Sequence, residues 1–179
     1  NGPSDLYELC LELGFRLLLL AKRVENEEEG KLLLEKTVKT GLAYGKLLEF
    51  VEIQGGDVEY IKNPDLLPRA KHIIEIKSNK EGYVKSLNAE EIGKVALSLG
   101  AGRETLDSII DLSVGLVLNK KIDDKVNIGD TLAFIHCNDL KKGQEAEKRI
   151  KELYILGDKN QEAKKLVYGL VTKDGVQLF

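Results

Sequence analysis

His72-Ile73-Ile74-Glu75-Ile76-Lys77, followed by Ser78-Asn79-Lys80-Glu81-Gly82 and then Tyr83-Val84-Lys85-Ser86-Leu87, is the stretch that decides the fold class. The first segment is rich in β-branched residues and alternates in its second half, which predicts a strand. The polar, glycine-ended middle predicts a turn, and the third segment predicts a second strand. Immediately upstream, Asn63-Pro64 and Leu67-Pro68 mark a boundary, because proline disfavours helix at the residue before it.

Before that boundary the periodicity is helical. Ser4 is placed to cap a first helix, with Asp5 and Glu8 in its first turn, where they oppose the positive end of the helix dipole. Leu6, Leu9, Leu13, Leu17 and Leu20 recur at three- and four-residue spacing on one face. The acidic run Glu25 to Glu29 precedes a second helix carrying Leu32, Leu33, Leu34 and Val38. A third follows Gly41 with Leu47, Leu48 and Val51, and stops at Gly55-Gly56.

Downstream of the opening strands, Asn88 caps a helix with Glu91 three residues on, a variant of the capping box. Ile92, Val95, Ala96 and Leu99 form its apolar stripe, and Gly100 is expected to end it, within a helical insertion that runs from Asn88 to about Asp111. Further strands are expected at Val114 to Leu118 and Thr131 to His136, a helix from Asp139 to about Leu153, and short strands near Leu166 to Val171 and Val176. The class is α+β: an N-terminal helical segment over residues 1–66, then a β-rich, hammerhead or barrel-sandwich-like domain over 67–179.

Composition narrows the function classes. The net charge of −3, without a basic stripe interleaved with aromatics, argues against nucleic acid as a partner. The run Leu17 to Ala21 is too short to span a bilayer and is bounded by Arg16 and Lys22, so no membrane role is expected. Two cysteines, Cys10 and Cys137, lack CxxC spacing, and with two histidines, His72 and His136, a structural zinc site is not expected. The thiols are read as reduced and buried, in a cytoplasmic protein. The chain contains no methionine, so its N-terminus is expected to be a processed end, a truncation or the first ordered residue of something longer.

Several local motifs carry possible chemistry. Gly100-Ala101-Gly102-Arg103 places two glycines and an arginine where a phosphate could be cradled, but it lacks GxGxxG and GxxxxGK[ST] spacing. It reads as a helix C-cap and connector, with Arg103 paired to a nearby acid. His136-Cys137-Asn138-Asp139 gathers reactive types, yet neighbours on a strand point to opposite faces, so a strand end leading into a helix cap at Asn138 or Asp139 is expected. Asp107 and Asp111 stand at helical spacing and could hold a metal; without further oxygen ligands a solvated face is expected. The acidic run Glu25 to Glu29 is expected to be a solvated helix start.

Glu81-Gly82-Tyr83-Val84, with the later Lys125-Val126-Asn127-Ile128-Gly129-Asp130-Thr131-Leu132-Ala133-Phe134-Ile135, resembles the barrel-sandwich of biotinyl and lipoyl carrier domains. Those domains present a modifiable lysine on a hairpin. Lys120-Lys121 occupies a plausible hairpin, but no methionine flanks it and the insertion after Asn88 interrupts the sandwich. The alternative reading is therefore a carrier-like binding module or a non-catalytic interaction domain.

A second resemblance runs over nearly the whole chain. In order, Gly2-Pro3-Ser4-Asp5-Leu6 with Glu8-Leu9-Cys10, then Leu67-Pro68-Arg69-Ala70-Lys71, then Glu81-Gly82-Tyr83-Val84 carry it. Leu99-Gly100-Ala101-Gly102-Arg103 through Asp107 and Ile110-Asp111 to Val114-Gly115 follows, and Val126-Asn127-Ile128-Gly129-Asp130-Thr131-Leu132 closes the series. Together they resemble the C-terminal part of the pyrimidine-nucleoside phosphorylases, the family that includes thymidine phosphorylase. The resemblance implies a homodimeric parent enzyme that splits a pyrimidine nucleoside with phosphate into free base and (deoxy)ribose 1-phosphate. It also implies that the phosphate loop, with its Lys-Xaa-Ser-Thr-Gly-Gly pattern, and the base-holding lysine and arginine belong to the N-terminal half. None of these motifs occurs here. Residues 1–66 then read as the last part of the phosphate-binding α/β domain. No catalytic, cofactor-binding, substrate-binding or metal-ligating residue is assigned, Gly102 and Arg103 included. No cofactor is expected. The chain is expected to be inactive alone, with an exposed apolar stripe, Leu6 to Leu20, through which it self-associates.

Overall fold

The computed structural model describes residues 2–103, 105–158 and 165–179. Its contacts divide the chain into two compact units, Asn1–Asp65 with Lys164–Phe179, and Leu66–Ala163.

The first unit holds α1 (Ser4–Leu20), α2 (Glu27–Lys39), α3 (Leu42–Ile53) and the short α4 (Glu59–Lys62). Ser4 is the first helical residue rather than the cap: Pro3 holds the cap position and offers no side-chain acceptor. Asn26 caps α2, its Oδ1 accepting from the Glu29 N–H at 2.9 Å, while Glu29 Oε2 accepts from the Glu25 N–H at 2.9 Å. The acidic run is thus a reciprocal helix start. Gly41 and Gly55 take positive φ, 78° and 77°, at the ends of α2 and α3.

Helices α1 and α2 meet through glycine. A Cβ on Gly30 would lie 2.8 Å from Phe15 Cβ, and one on Gly14 would lie 2.7 Å from Leu34 Cδ1. Phe15 and Val24 are the buried apolar residues of this contact. Lys31 bridges Glu12 at 3.1 Å and Glu27 at 2.6 Å, and Arg16 pairs with Glu12. Close approach is possible on the glycine face, so the leucine stripe is turned away: Leu6, Leu13, Leu17 and Leu20 are exposed, Leu20 by 81%. Cys10 is exposed too, contrary to the expectation of a buried thiol, because it lies off the Phe15 face.

The antiparallel hairpin β7 (Gly169–Thr172) and β8 (Gly175–Leu178) belongs to this unit. Phe179 lies under the Arg16 guanidinium, 5.8 Å from its ring centroid. The tail therefore groups with the helices, whereas the sequence reading kept it with the rest of 67–179.

The second unit is a mixed sheet-and-helix domain. Strands β1 (His72–Lys77), β5 (Thr131–Cys137) and β3 (Gly115–Leu118) form one antiparallel sheet in the order β1-β5-β3. Strands β4 (Lys125–Val126), β2 (Gly82–Ser86) and β6 (Ile155–Gly157) form a second in the order β4-β2-β6. The two opening strands thus enter different sheets, and the turn between them is a crossing. Its anchor is the buried Ser78: its N–H donates to Asp130 O at 2.9 Å, and its carbonyl accepts from Gly129 N at 2.8 Å.

Helix α5 (Ala89–Ala96) and helix α6 (Leu140–Leu153) cover the core, which contains Ile76, Val84, Val95, Val126, Ile135 and Ile150. Asn88 caps α5, accepting from Glu90 N and Glu91 N. Glu91 does not return the bond; it pairs with Lys94 at 2.7 Å. After α5 a single wider π turn, Leu97–Ala101, ends the helix. Gly100 there has φ 110°, and its carbonyl accepts from Asp111 N at 2.9 Å. The helix thus ends at Gly100 as expected, while the described residues of the insertion beyond it, to Asp111, are irregular rather than helical.

Candidate functional site

The residues with chemical potential converge where β5 ends. Asn138 Nδ2 donates to Asp111 Oδ2 at 2.7 Å and to Ser113 Oγ at 2.9 Å. Ser113 in turn donates to Asp111 Oδ1 from its hydroxyl at 2.6 Å and its backbone N–H at 3.0 Å. The Lys71 N–H donates to Asn138 Oδ1 at 2.8 Å. The Gly100 turn, the loop to Ser113, the start of β1 and the end of β5 are thus tied through Asp111 and Asn138.

Ser113's hydroxyl and backbone N–H, then the Asn138 amide, hold the Asp111 carboxyl below the usual carboxylate range. Both its oxygens are engaged, so it acts as a strut and is a poor proton acceptor near neutral pH. Asp107 lies in a turn, exposed, and does not share a helix face with Asp111 because no helix exists there. Among the described residues no group of three His, Cys, Asp or Glu side chains comes together. Arg103 is exposed and makes no ion pair among the described residues, unlike the expected pairing to an acid.

His136 and Cys137 face opposite ways on β5. Cys137 is buried against α6, where a Cβ on Gly143 would meet its Sγ at 2.5 Å. Burial, then the charge of Asp139, pushes the thiol up. Asp139 caps α6, its Oδ1 accepting from Lys141 N at 2.8 Å and Lys142 N at 3.3 Å. This tetrad is a strand end and a cap, as its spacing implied.

Lys120 lies on the connection from β3 to β4. Its Nζ pairs with Asp130 Oδ2 at 2.9 Å and donates to Lys125 O at 2.8 Å. Lys121 is exposed, and its N–H donates to Asp124 Oδ2 at 2.7 Å. Of the pair singled out as modifiable, Lys120 is engaged twice within its own loop.

Sequence reasoning missed Tyr154 and Ser113. The Tyr154 hydroxyl lies 2.8 Å from Lys120 O and 2.9 Å from Leu132 O, sharing its single proton between them. Leu132 sits at a bulge between the Ile76–Ala133 and Lys77–Thr131 pairs, and its carbonyl also receives Asn119 N and Lys120 N. Nothing local in the sequence announced that contact. Ser113 did carry a signal, since Asp followed two residues later by Ser favours a local side-chain turn.

Comparison with known proteins fits this domain. Residues 83–157 match the pyrimidine nucleoside phosphorylase C-terminal domain family. The chain is 44% identical over 138 residues to the pyrimidine-nucleoside phosphorylase of Geobacillus stearothermophilus. It is 47% identical over 138 residues to that of Staphylococcus haemolyticus and 46% to that of Staphylococcus aureus strain USA300. In each case 77% of the chain aligns and covers 32% of the relative, so the chain spans about a third of the length of these proteins.

Proposed function

Because the chain carries the C-terminal domain of the pyrimidine nucleoside phosphorylase family, we propose that it is the C-terminal portion of an enzyme of that activity. The enzyme reversibly converts a pyrimidine nucleoside and phosphate into free base and (deoxy)ribose 1-phosphate. The observation that carries this reading is the 44% identity over 138 residues to a pyrimidine-nucleoside phosphorylase.

Within that enzyme this portion is a scaffold. Phosphorolysis needs an anion hole for phosphate and donors for the pyrimidine, held in a closing cleft. Asp111, Ser113 and Asn138 are committed to one another and fix a loop in place. The same reading makes the whole enzyme a cytoplasmic homodimer. No helix among the described residues is long and apolar enough to cross a membrane. The exposed stripe of Leu6, Leu13, Leu17 and Leu20 packs on the rest of the enzyme and, in this chain alone, on a second copy.

The test is phosphorolysis of uridine and thymidine by the purified chain, alone and mixed with the remaining two-thirds of a relative. Activity in the mixture and none in the chain alone is expected. Turnover by the chain alone defeats the scaffold role.

A further inference from the structure

The two units differ in how much core each contains. In the second, thirteen buried residues form one hydrophobic cluster, Ile76, Val84, Ile135 and Ile150 among them. In the first, among the described residues, Phe15 and Val24 are the buried apolar side chains, and both serve the contact of α1 with α2. Helix α3 buries none of its residues.

The apolar side chains of the first unit are present but lie outside. Leu13 and Leu17 of α1, Leu32 and Val38 of α2, and Phe50 and Ile53 of α3 are between 52% and 72% exposed. Helices of 17, 13 and 12 residues draw their stability from tertiary burial of an apolar face and are marginal without it. The unit is therefore half a core, with its local helix signals in place and its covering surface elsewhere.

Charge and extent define that surface. Glu35 pairs with Lys39 and Lys46 with Glu49 within one turn, while Lys31 joins Glu27 and Glu12. These acids and bases neutralise one another inside the unit, so what remains to be matched is apolar. It extends over three helices. A second copy paired through the α1 stripe reaches one of them, whereas a partner of domain size reaches all three. The relatives contain such a partner, since about two-thirds of their length lies beyond what this chain spans.

We propose that α1, α2 and α3 form a docking half-core, open to solvent exchange in the chain alone and locked when the apolar surface of the upstream portion of a pyrimidine nucleoside phosphorylase covers them. The second unit folds without that help. The identity of the partner rests on the phosphorylase reading; the half-core rests on burial alone.

The experiment is amide hydrogen exchange of the dilute 179-residue chain, read by mass spectrometry, with and without the upstream two-thirds of the Staphylococcus aureus relative. In the chain alone, α1 to α3 should exchange at least about a hundredfold faster than β1, β5 and α6. The upstream part should slow α1 to α3 at least about tenfold, equally in low salt and in about 1 M salt, and leave β5 unmoved. Phe50→Lys with Ile53→Lys, and separately Leu32→Lys with Val38→Lys, should each remove the slowing while β1, β5 and α6 keep their exchange, which shows the second unit still folded. Slowing of α1 to α3 in a complex that releases no uracil would defeat the phosphorylase reading and leave the half-core standing. Equal protection of α1 to α3 and β5 in the dilute chain, full protection of all three helices on concentrating the chain alone, no slowing by the upstream part, or slowing indifferent to the substitutions would overturn the proposal.

Discussion

Asn138 reaches back across 27 residues to Asp111, its Nδ2 standing 2.7 Å from the carboxylate. That bond converts a strand end and an irregular loop into one rigid corner. Replacing Asn138 by Ala removes the donor to Asp111 and the acceptor for Lys71 N–H, and should cost about 1–3 kcal/mol. Urea unfolding checks it: the midpoint should fall while the slope stays constant.

Asp111 itself gives a pH signature. Its folded pKa is depressed, by Ser113 first and then Asn138. The stability it contributes is therefore present above the ordinary carboxylate value and lost as pH falls through the folded one. Asp111→Asn should flatten the acid limb of the stability profile below about pH 4. Thermal melts of both proteins between pH 2 and 7 report it, and parallel acid limbs would count against the strut.

At the alkaline end the group to watch is Tyr154, whose pKa burial, then Asp124, pushes up to about 12. A raised pKa means its contribution is complete below the unfolded value near 10 and lost as pH rises through about 12. Tyr154→Phe should destabilise by about 1–2 kcal/mol, leaving Lys120 O without its hydroxyl. Phenolate absorbance should show one tyrosine titrating late in the parent chain and none in the variant.

The α6 contact is set by a missing side chain. In Gly143→Ala the new methyl meets Cys137 Sγ and Ile74 Cδ1, and overpacking of this kind costs about 1–3 kcal/mol. Adding Cys137→Ala should recover part of the loss, which a double-mutant cycle measures. An additive cycle would show that Cys137 is not what the methyl meets.

How far the sequence foretold this structure depends on the range of the forces involved. The strands at His72 and Thr131, the caps at Asn88 and Asp139, and the α+β class follow from periodicity and local hydrogen bonding, which act over a few residues. The end of the α5 helix at Gly100 was legible too, and a φ of 110° there turns the chain out of the helix; the helical spacing of Asp107 and Asp111 beyond it was misleading. The leucine stripe of α1 was legible as amphipathic and as an exposed face, and Leu6, Leu13, Leu17 and Leu20 are exposed. Which face packs was decided by Gly14 and Gly30, whose lack of side chains matters when a second helix arrives. Lys120 was singled out from its place on a hairpin. Its engagement by Asp130 depends on a fold-back that spacing does not encode. The corner of Asp111, Ser113 and Asn138 is long-range in the same sense, and of its members only the local Asp111–Ser113 pairing had a sequence signal.

The exposed stripe predicts behaviour in solution. Leu13→Lys with Leu17→Lys should reduce self-association of the chain without unfolding it, since both side chains are exposed. Sedimentation velocity across a concentration series reads this directly, and a parent chain that stays monomeric throughout would remove the stripe's assigned role.

The central claim, that this chain is the supporting portion of a pyrimidine nucleoside phosphorylase, is tested most directly by reconstitution. The 179-residue chain is added to the upstream two-thirds of the Staphylococcus aureus relative, and release of uracil from uridine is followed in phosphate. Phosphate-dependent uracil release from the mixture, with none from either part alone, is the predicted result. Release from this chain alone, or a mixture that forms a stable complex yet releases none, would contradict it.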